Sequence, residues 1–201
     1  MQTIHRENFF LICADELTEQ GEFLADSVVR RAHQGRGLTE GETFEFGWCV
    51  LKLVRSGDKL ELQEPDYSAN PLLNFRSNVS TSLRVVVAQN ELLHRIQVVP
   101  CGARFDEKIV LRKGCLRDEH LYMERSPPTD GDSGWYISKA GEQSSPKASD
   151  LESIYSFQLL ADRPSLLSCL VLPPGWFVVW QGNRIETVVN ADDQKVYPQV
   201  E

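Results

Sequence analysis

The four residues Gly131-Asp132-Ser133-Gly134 carry the side chains of this sequence that are most able to do chemistry. Trypsin-like proteases surround their nucleophilic serine with the same four residues, and there a histidine takes the serine proton while a buried aspartate orients the histidine. The other common serine-hydrolase pattern, G-x-S-x-G, needs a glycine two residues after the serine, where Trp135 stands. Ser133 is therefore a nucleophile only if a histidine can reach it.

The histidines of the sequence do not fit that role. None of the four lies in the Ala-Ala-His-Cys setting of the protease, and His33 falls at the end of a predicted helix; the four are His5, His33, His94 and His120. The position after Gly134, which is a second glycine in the protease pattern, is the bulky Trp135. The sequence therefore predicts no catalytic residue, and we expect a protein that is not an enzyme.

A turn explains the same residues more simply. Pro127-Pro128 ends a strand and stiffens the connection that follows. In Asp130-Gly131 and Asp132-Ser133-Gly134, short polar side chains can bond nearby backbone N–H groups, and glycine supplies positive φ. Trp135 then begins the next strand as a large apolar anchor. This interpretation predicts a rigid polar loop that is well suited to contacting a partner.

Patterns for cofactors and metals are absent from the sequence. It contains neither G-x-G-x-x-G nor a Walker loop, and the glycines of residues 33–41 lack the strand–glycine–helix order that phosphate binding needs. The neighbouring acids Asp192-Asp193 and Asp118-Glu119 would point in different directions on a regular element. Cys101 and Cys115 have no C-x-x-C pair or histidine at metal spacing. We therefore expect no cofactor and no metal.

The charge balance bears on the class of partner. The 201 residues include 29 acidic and 21 basic side chains, for a formal net charge of −8. Such a surface repels a phosphate backbone, so we expect no direct binding of nucleic acid. It suits a basic protein partner, because complementary fields raise the association rate. Acidity that serves solubility alone remains the alternative.

The location is predicted from the N-terminal residues and the cysteines. The first apolar run, Phe9 to Ala14, is too short and too soon followed by acids for a secretory signal, and no run approaches the length of a membrane span. Most of the five cysteines lie in apolar strings, as buried reduced cysteines do. These features predict a cytoplasmic protein without membrane contact.

Apolar periodicity predicts the main elements. Leu17, Leu24, Val28 and Ala32 share one face of a helix from residue 14 to about 33. Residues 44–64 predict a β-hairpin with a turn at 56–58. Further predictions are a helix at 150–162 with Asp150 as N-cap, and strands at 83–88, 167–172, 176–181 and 184–189. In the strand at 176–181 both faces are apolar, which predicts a strand that is central or covered on both sides.

The order of these elements predicts an α+β protein of two small domains, each a mostly antiparallel sheet with one or two helices. We place the domains at residues 1–100 and 101–201. The halves echo each other weakly, since "FGWCVLKLV" and "SGWYIS" both put Gly-Trp at the head of a predicted strand. The first domain is therefore a possible degenerate copy of the second, and chance likeness is the alternative.

Residues 110–182 resemble a bacterial family of immunity proteins of polymorphic-toxin and type VI secretion systems, formerly a domain of unknown function. The resemblance rests on a segment like Y-x-R-E-x-P, then D-S-G-W, then an acidic residue and a late P-G turn. The matching positions are Tyr122, Glu124, Arg125, Pro127, Asp132, Ser133, Gly134, Trp135, Glu142, Pro174 and Gly175. Two departures are the order of Glu124 and Arg125 and the thinner acidic cluster after Trp135.

The resemblance implies that the protein binds and neutralises a cognate toxin. With a cytoplasmic chain the toxin would act in the cytoplasm, and the acidity favours a basic nuclease whose active site or substrate groove is occluded. We expect acidic residues of polar loops to contact it, with an aromatic residue carrying more of the affinity. The predicted contact residues are Asp58, Glu61, Glu64, Asp66, Asp130, Asp132 and Glu142.

A non-enzymatic scaffold or chaperone module associated with a secretion system is the alternative function. It would hold many partners weakly, whereas an immunity protein would hold one partner tightly. The sequence alone leaves both open.

Overall fold

The structure, a computed structural model, describes residues 1–35, 37–142 and 145–198. The chain forms two compact units, Met1–Val87 (unit 1) and Ala88–Glu201 (unit 2), and the division falls within a helix. Each unit is built around one sheet, and most strand pairs are antiparallel. The predicted fold class, α+β with two small sheet-rich parts, is confirmed.

Within its described residues, unit 1 has a sheet of six strands in the order β1-β2-β5-β4-β3, with β6 also paired to β5. The bounds are β1 Gln2–Arg6, β2 Phe9–Cys13, β3 Thr43–Phe46, β4 Cys49–Ser56, β5 Lys59–Pro65 and β6 Phe75–Arg76. β2 and β5 are parallel because helix α1 (Thr18–His33) carries the chain across the sheet between them. The predicted hairpin is confirmed for β4 and β5, joined at Gly57-Asp58, but its first strand begins at Cys49 and not at residue 44, because residues 43–46 form the separate strand β3.

Helix α1 packs its apolar face on this sheet. The predicted positions Leu24, Val28 and Ala32 are buried, as periodicity requires. Gly21 lies at the closest approach, since a Cβ there would come within 2.7 Å of Ile4 and 2.9 Å of the Cys13 sulfur. The absence of a side chain at residue 21 thus lets the helix lie directly on β1 and β2.

The predicted strand at 83–88 is wrong, because these residues belong to helix α2 (Ser80–Ile96). The branched run Val85-Val86-Val87 favours a strand by propensity. Packing overrides that preference, since Val85, Gln89 and Leu92 recur at the spacing of one helix side and are all buried. The carbonyl oxygen of the Asn78 side chain accepts the N–H of Ser80, which helps the helix begin.

Unit 2 has, in the part of the chain that the structure describes, a seven-stranded sheet in the order β10-β7-β9-β8-β11-β12-β13. The bounds are β7 Lys108–Arg112, β8 His120–Arg125, β9 Asp132–Lys139, β10 Leu151–Tyr155, β11 Phe177–Gln181, β12 Arg184–Val189 and β13 Lys195–Tyr197. Only the pair of β7 and β9 is parallel among these strands. β11 is an interior strand, as its apolar residues predict.

Alternation along these strands divides the sheet into two faces. One face, the inner face, is almost fully buried and includes Leu111, Met123, Trp135, Ile137 and Val178. The alternating residues form the outer face, which is only partly buried. This difference makes the outer face of the unit 2 sheet a surface that the core does not use.

Two further predictions in unit 2 are wrong. The predicted helix at 150–162 is instead strand β10 followed by a short helix α3 (Leu159–Asp162), because residues 151–155 pair along the free edge of β7. Residues 167–172, predicted as a strand, are instead the end of a 3₁₀ helix (Pro164–Cys169) and the turn that follows it. Short apolar runs do not distinguish a buried strand from a buried helix.

Candidate functional site

Ser133 is a buried structural residue. Its side chain is fully buried, its hydroxyl donates to the carbonyl oxygen of Lys108 at 2.6 Å, and it accepts the N–H of Trp135 at 3.3 Å. His120 begins β8, whereas the part of β8 that faces Trp135 is Arg125 at the other end. Ser133 therefore has a structural role, but it lies within strand β9, which begins at Asp132 and not at Trp135 as predicted.

The side chain of Arg125 is the centre of this region. It is 3% exposed, its Nε donates to the carbonyl oxygen of Ser133 at 3.0 Å, and one terminal nitrogen donates to the carbonyl oxygens of Cys101 and Leu172. The guanidinium carbon lies 5.7 Å from the ring centre of Trp135. Burial lowers the pKa of Arg125 from its ordinary value, yet the group stays charged at neutral pH.

The backbone adds to this arrangement, which we call the Arg125 cluster (Arg125, Ser133, Gly134, Trp135, Gly175). Gly175 donates its N–H to the carbonyl oxygen of Arg125 at 2.6 Å, and Ser126 donates to that of Gly134 at 2.9 Å. Gly134 has a φ of +77°, and a Cβ there would collide with the carbonyl group of Ser126. These residues of the D-S-G-W and P-G segments therefore meet in one structural cluster.

The predicted contact acids of unit 1 lie in different environments. Asp58 is exposed in the turn between β4 and β5, while Asp66 accepts hydrogen bonds from the N–H and hydroxyl of Ser68, which lower the pKa of its carboxyl group. Glu61 is buried and accepts from the side chain of Gln63 at 2.9 Å.

Glu64 is the most deeply buried of the predicted contact residues. It is 0% exposed, one carboxylate oxygen accepts from Arg76 at 2.8 Å, and the other accepts the N–H of Ser82 at 2.7 Å. The second bond places a negative charge in the first turn of α2, where the helix dipole favours it. Glu64 thus stabilises unit 1 and, like the buried Glu61, is not available to a partner in this conformation.

The predicted acids of unit 2 lie at the surface. Asp130 is exposed in the loop before β9. Asp132 is half-buried and accepts the N–H of Gly134 at 2.8 Å, so it also fixes the backbone at the start of β9. Glu142 forms an ion pair of 2.5 Å with Arg112.

These acids do not form one cluster within either unit. Asp58 and Asp66 lie at opposite ends of β5. Asp132 and Glu142 lie at opposite ends of β9, a strand of 8 residues that spans about 26 Å at ~3.3 Å per residue. A partner of ordinary size contacts both ends of β9 only by covering the sheet between them.

An aromatic group on that sheet was missed by the sequence interpretation. Tyr122 of β8 stacks on Phe177 of β11 with ring centres 5.3 Å apart, and it meets Tyr136 of β9 edge-on at 5.9 Å. Glu124, also on the outer face, pairs across the sheet with Tyr136 on one side and Phe177 on the other. Strand alternation in "HLYMER" and "FVVWQ" predicts that Tyr122 and Glu124 share one face of their strand and that Phe177 and Val179 share one face of theirs. Which of the two faces stays open depends on the fold.

Other features of the described residues give no site for chemistry. A groove of about 420 Å³ beside Trp180 contains Ser165 and Ser168, but their hydroxyls are bonded to Asn183 and to a backbone carbonyl. Groups of three or more metal-ligating side chains do not occur in residues 1–35, 37–142 and 145–198. Among these residues no helix is both long and apolar enough to cross a membrane.

The thiols of the protein are mostly buried and unreactive. Four of the five cysteines are buried and all are free, with only Cys101 exposed. Burial raises the pKa of Cys49 to about 12 and that of Cys115 to about 11. Such thiols are protonated at neutral pH and act as small apolar core residues.

Comparison with known proteins identifies the family. Residues 88–191, which contain the Arg125 cluster and most of unit 2, match the Imm33-like domain. No curated protein and no solved structure matches the sequence. The match covers more than half of the chain, and it falls where the sequence resembles immunity proteins. The chain therefore belongs to the Imm33-like family of immunity proteins.

Proposed function

We propose that this protein binds a cognate antibacterial toxin in the cytoplasm and blocks it, and that the toxin is a basic nuclease. The observation that carries the proposal is the family match over residues 88–191. The role of an immunity protein is a binding role. The hydrogen bonds of the Arg125 cluster agree with a binding role. They engage the side chains of Ser133 and Arg125 with backbone carbonyl oxygens, so both side chains serve to hold the fold.

The acidity of the chain supports a nuclease as the target. A nuclease grips phosphates with basic side chains, and a protein of net charge −8 can occupy the same surface. The predicted acids that remain at the surface are Asp58, Asp66, Asp130, Asp132 and Glu142. Acids at the rim of an interface mainly raise the association rate, while apolar anchors at its centre slow dissociation.

Occlusion is the mechanism that fits such a partner. An inhibitor that covers the active site or the substrate groove needs no chemistry of its own, only a complementary surface of about 800 Å² on each partner. The outer face of the unit 2 sheet is a rigid surface for this purpose, because hydrogen-bonded strands hold its side chains in register.

Co-expression tests the function directly. The product of the neighbouring gene, expressed alone, should arrest growth, and co-expression with this protein should restore it. The purified pair should form a 1:1 complex, and this protein should abolish cleavage of plasmid DNA or RNA by its partner.

The outcomes separate the proposal from its alternative. A harmless neighbour, or a pull-down in which no partner is stoichiometric, would contradict the immunity function and favour a scaffold or chaperone module. Rescue from a toxin that does not cleave nucleic acid would retain immunity and overturn only the nuclease.

A further inference from the structure

The outer face of the unit 2 sheet places one acidic residue next to aromatic residues of its own strand and of both neighbouring strands. Glu124 lies on β8, between β9 and β11, and its cross-strand neighbours are Tyr136 and Phe177. Tyr122 lies two residues earlier on the same strand and therefore on the same face. The rings touch one another through Tyr122, at 5.9 Å to Tyr136 and 5.3 Å to Phe177.

The carboxylate of Glu124 has no partner among the described residues. It is exposed, and neither an ion pair nor a hydrogen bond to its side chain occurs there. Two neighbouring acids differ in this respect, since Glu142 is paired with Arg112 and Asp132 accepts the N–H of Gly134. Glu124 thus keeps its full capacity to accept hydrogen bonds from another molecule.

The rings are only partly buried, although they are large and apolar. Tyr122, Tyr136 and Phe177 are each half-buried, whereas the residues between them along the strands, such as Met123 and Val178, are fully buried. Burial and the nearby Tyr136 and Glu124 raise the pKa of the Tyr122 hydroxyl, so it remains a neutral donor at physiological pH. Aromatic groups that keep part of their surface open are typical of the centres of protein interfaces.

A carboxylate beside aromatic faces recognises a cation. The carboxylate accepts hydrogen bonds from a guanidinium or ammonium group, and the electron-rich ring faces attract the same charge. Arginine fits best, because its planar group can stack on a ring while its N–H groups reach the carboxylate. Charge complementarity points the same way, since a partner of this acidic protein is expected to be basic.

We propose that Glu124, Tyr122, Tyr136 and Phe177 form a docking site for an arginine side chain of the toxin, at the centre of the interface. The site lies between Asp132 and Glu142, so these acids would border the same contact. The inference rests on the proposed function, because it names the surface through which the toxin is bound.

Binding of single-residue variants to the purified neighbouring-gene product, inactivated in its own active site, tests the site. Glu124→Gln keeps the size of the side chain and removes its charge, and we expect the Kd to rise about 30-fold, mostly through faster dissociation. Phe177→Leu keeps an apolar side chain and removes the ring, and we expect a rise of about 10-fold.

Glu152→Gln is the matched control. Glu152 is also an exposed acid on a strand of this sheet, but it pairs with the inward-facing Leu111 and lies on the other face. We expect its Kd to stay within about 3-fold of that of the unchanged protein. Glu124→Gln and Glu152→Gln should unfold at the same temperature as the unchanged protein, since both sites are exposed.

A double-mutant cycle identifies the cation. Arginines of the toxin are changed to alanine one at a time, and one of these changes should weaken binding to the unchanged protein yet have little further effect on Glu124→Gln. If Glu124→Gln binds the toxin as tightly as the unchanged protein, the docking site is wrong while the immunity function stands. If the unchanged protein does not bind the toxin at all, both proposals fall.

Discussion

Unit 1 buries a carboxylate and unit 2 buries a guanidinium, and each group is connected to the tryptophan of a Gly-Trp pair. In unit 1, Trp48 stacks on Tyr67 at 5.4 Å, Tyr67 and Ser82 share a hydrogen bond between their hydroxyls, and the N–H of Ser82 donates to Glu64. In unit 2, Trp135 lies directly against the guanidinium of Arg125.

The two buried charges are satisfied in different ways. Glu64 has an opposite charge, that of Arg76, whose side chain is 37% exposed. Arg125 has only neutral carbonyl oxygens for hydrogen-bond partners among the described residues, and they come from three separate segments at Cys101, Ser133 and Leu172. An arginine offers five N–H donors and can therefore hold several loops at once, which a carboxylate with two oxygens cannot do to the same extent.

The Gly-Trp pairs also occupy different positions. Gly47-Trp48 forms the turn between β3 and β4, whereas Gly134-Trp135 lies inside β9. The strand orders of the two sheets differ as well. The same dipeptide thus occurs in two different arrangements. Trp135 packs against a buried guanidinium, whereas Trp48 is linked through Tyr67 and Ser82 to a buried carboxylate.

The largest expected effect is that of Gly134→Ala, which strikes the centre of the unit 2 arrangement. The new Cβ would collide with the backbone carbonyl group of Ser126. Ser126 follows Arg125 directly and donates its N–H to Gly134, so moving it would disturb the Arg125 cluster. We expect the free energy of unfolding to fall by about 4 kcal/mol or more, which is at the upper end for single substitutions. Urea unfolding followed by tryptophan fluorescence measures it.

Gly131→Ala provides the control for Gly134→Ala. The two glycines have nearly the same φ, +75° and +77°, but a Cβ on Gly131 has no atom within 4 Å. Its expected cost is the backbone strain alone, about 1 kcal/mol. Equal losses for both variants would show that the contact with Ser126 is unimportant.

Arg125→Met should have the next largest effect. Methionine keeps much of the apolar stem but leaves buried carbonyl oxygens in three segments without a donor, so we expect a loss of about 3 kcal/mol in the free energy of unfolding. The adjacent exposed residue gives the control, since Glu124→Gln should change stability by less than about 0.5 kcal/mol. A loss in the free energy of unfolding smaller than that of Glu64→Gln in unit 1 would contradict the view that the buried guanidinium contributes more to stability than the buried carboxylate.

Glu64→Gln should cost least of the three, about 2 kcal/mol. The amide keeps one acceptor for Ser82 or Arg76 but presents an N–H₂ group to the other donor. Arg76 can regain water because its side chain is partly exposed, which limits the loss. Asp58→Asn, at an exposed turn of the same unit, should leave the unfolding curve unchanged; a similar shift in both variants would contradict a structural role for Glu64.

Local signals predicted part of this fold. The helix over Leu24, Val28 and Ala32 and the hairpin at β4 and β5 follow from periodicity and from a turn at Gly57-Asp58, because both depend on neighbours in sequence. The strand predicted at 83–88 and the helix predicted at 150–162 were wrong because distant partners decided them. The residues of those segments do not reveal that one side of α2 is buried or that the edge of β7 is free to pair with β10.

The candidate site divides in the same way. The turn at Asp130-Gly131 and the burial of Trp135 follow from residue chemistry, and the structure has both. The turn predicted at Asp132-Ser133-Gly134 is wrong, because strand β9 already begins at Asp132. The acids Asp58 and Glu64 look alike in sequence, yet one is exposed and the other is fully buried. Glu124 was overlooked as a contact because its importance comes from Tyr136 and Phe177 on neighbouring strands.

The sequence by itself determined the α+β class, the acidic character and the likeness to immunity proteins, since composition, periodicity and short motifs are local properties. Only the tertiary structure decided which charges are buried and which face of the unit 2 sheet remains open. The reason is physical: the cost of a charge and the value of an exposed ring depend on what lies within a few ångströms, and strand pairing brings residues as distant as Glu124 and Phe177 to that range.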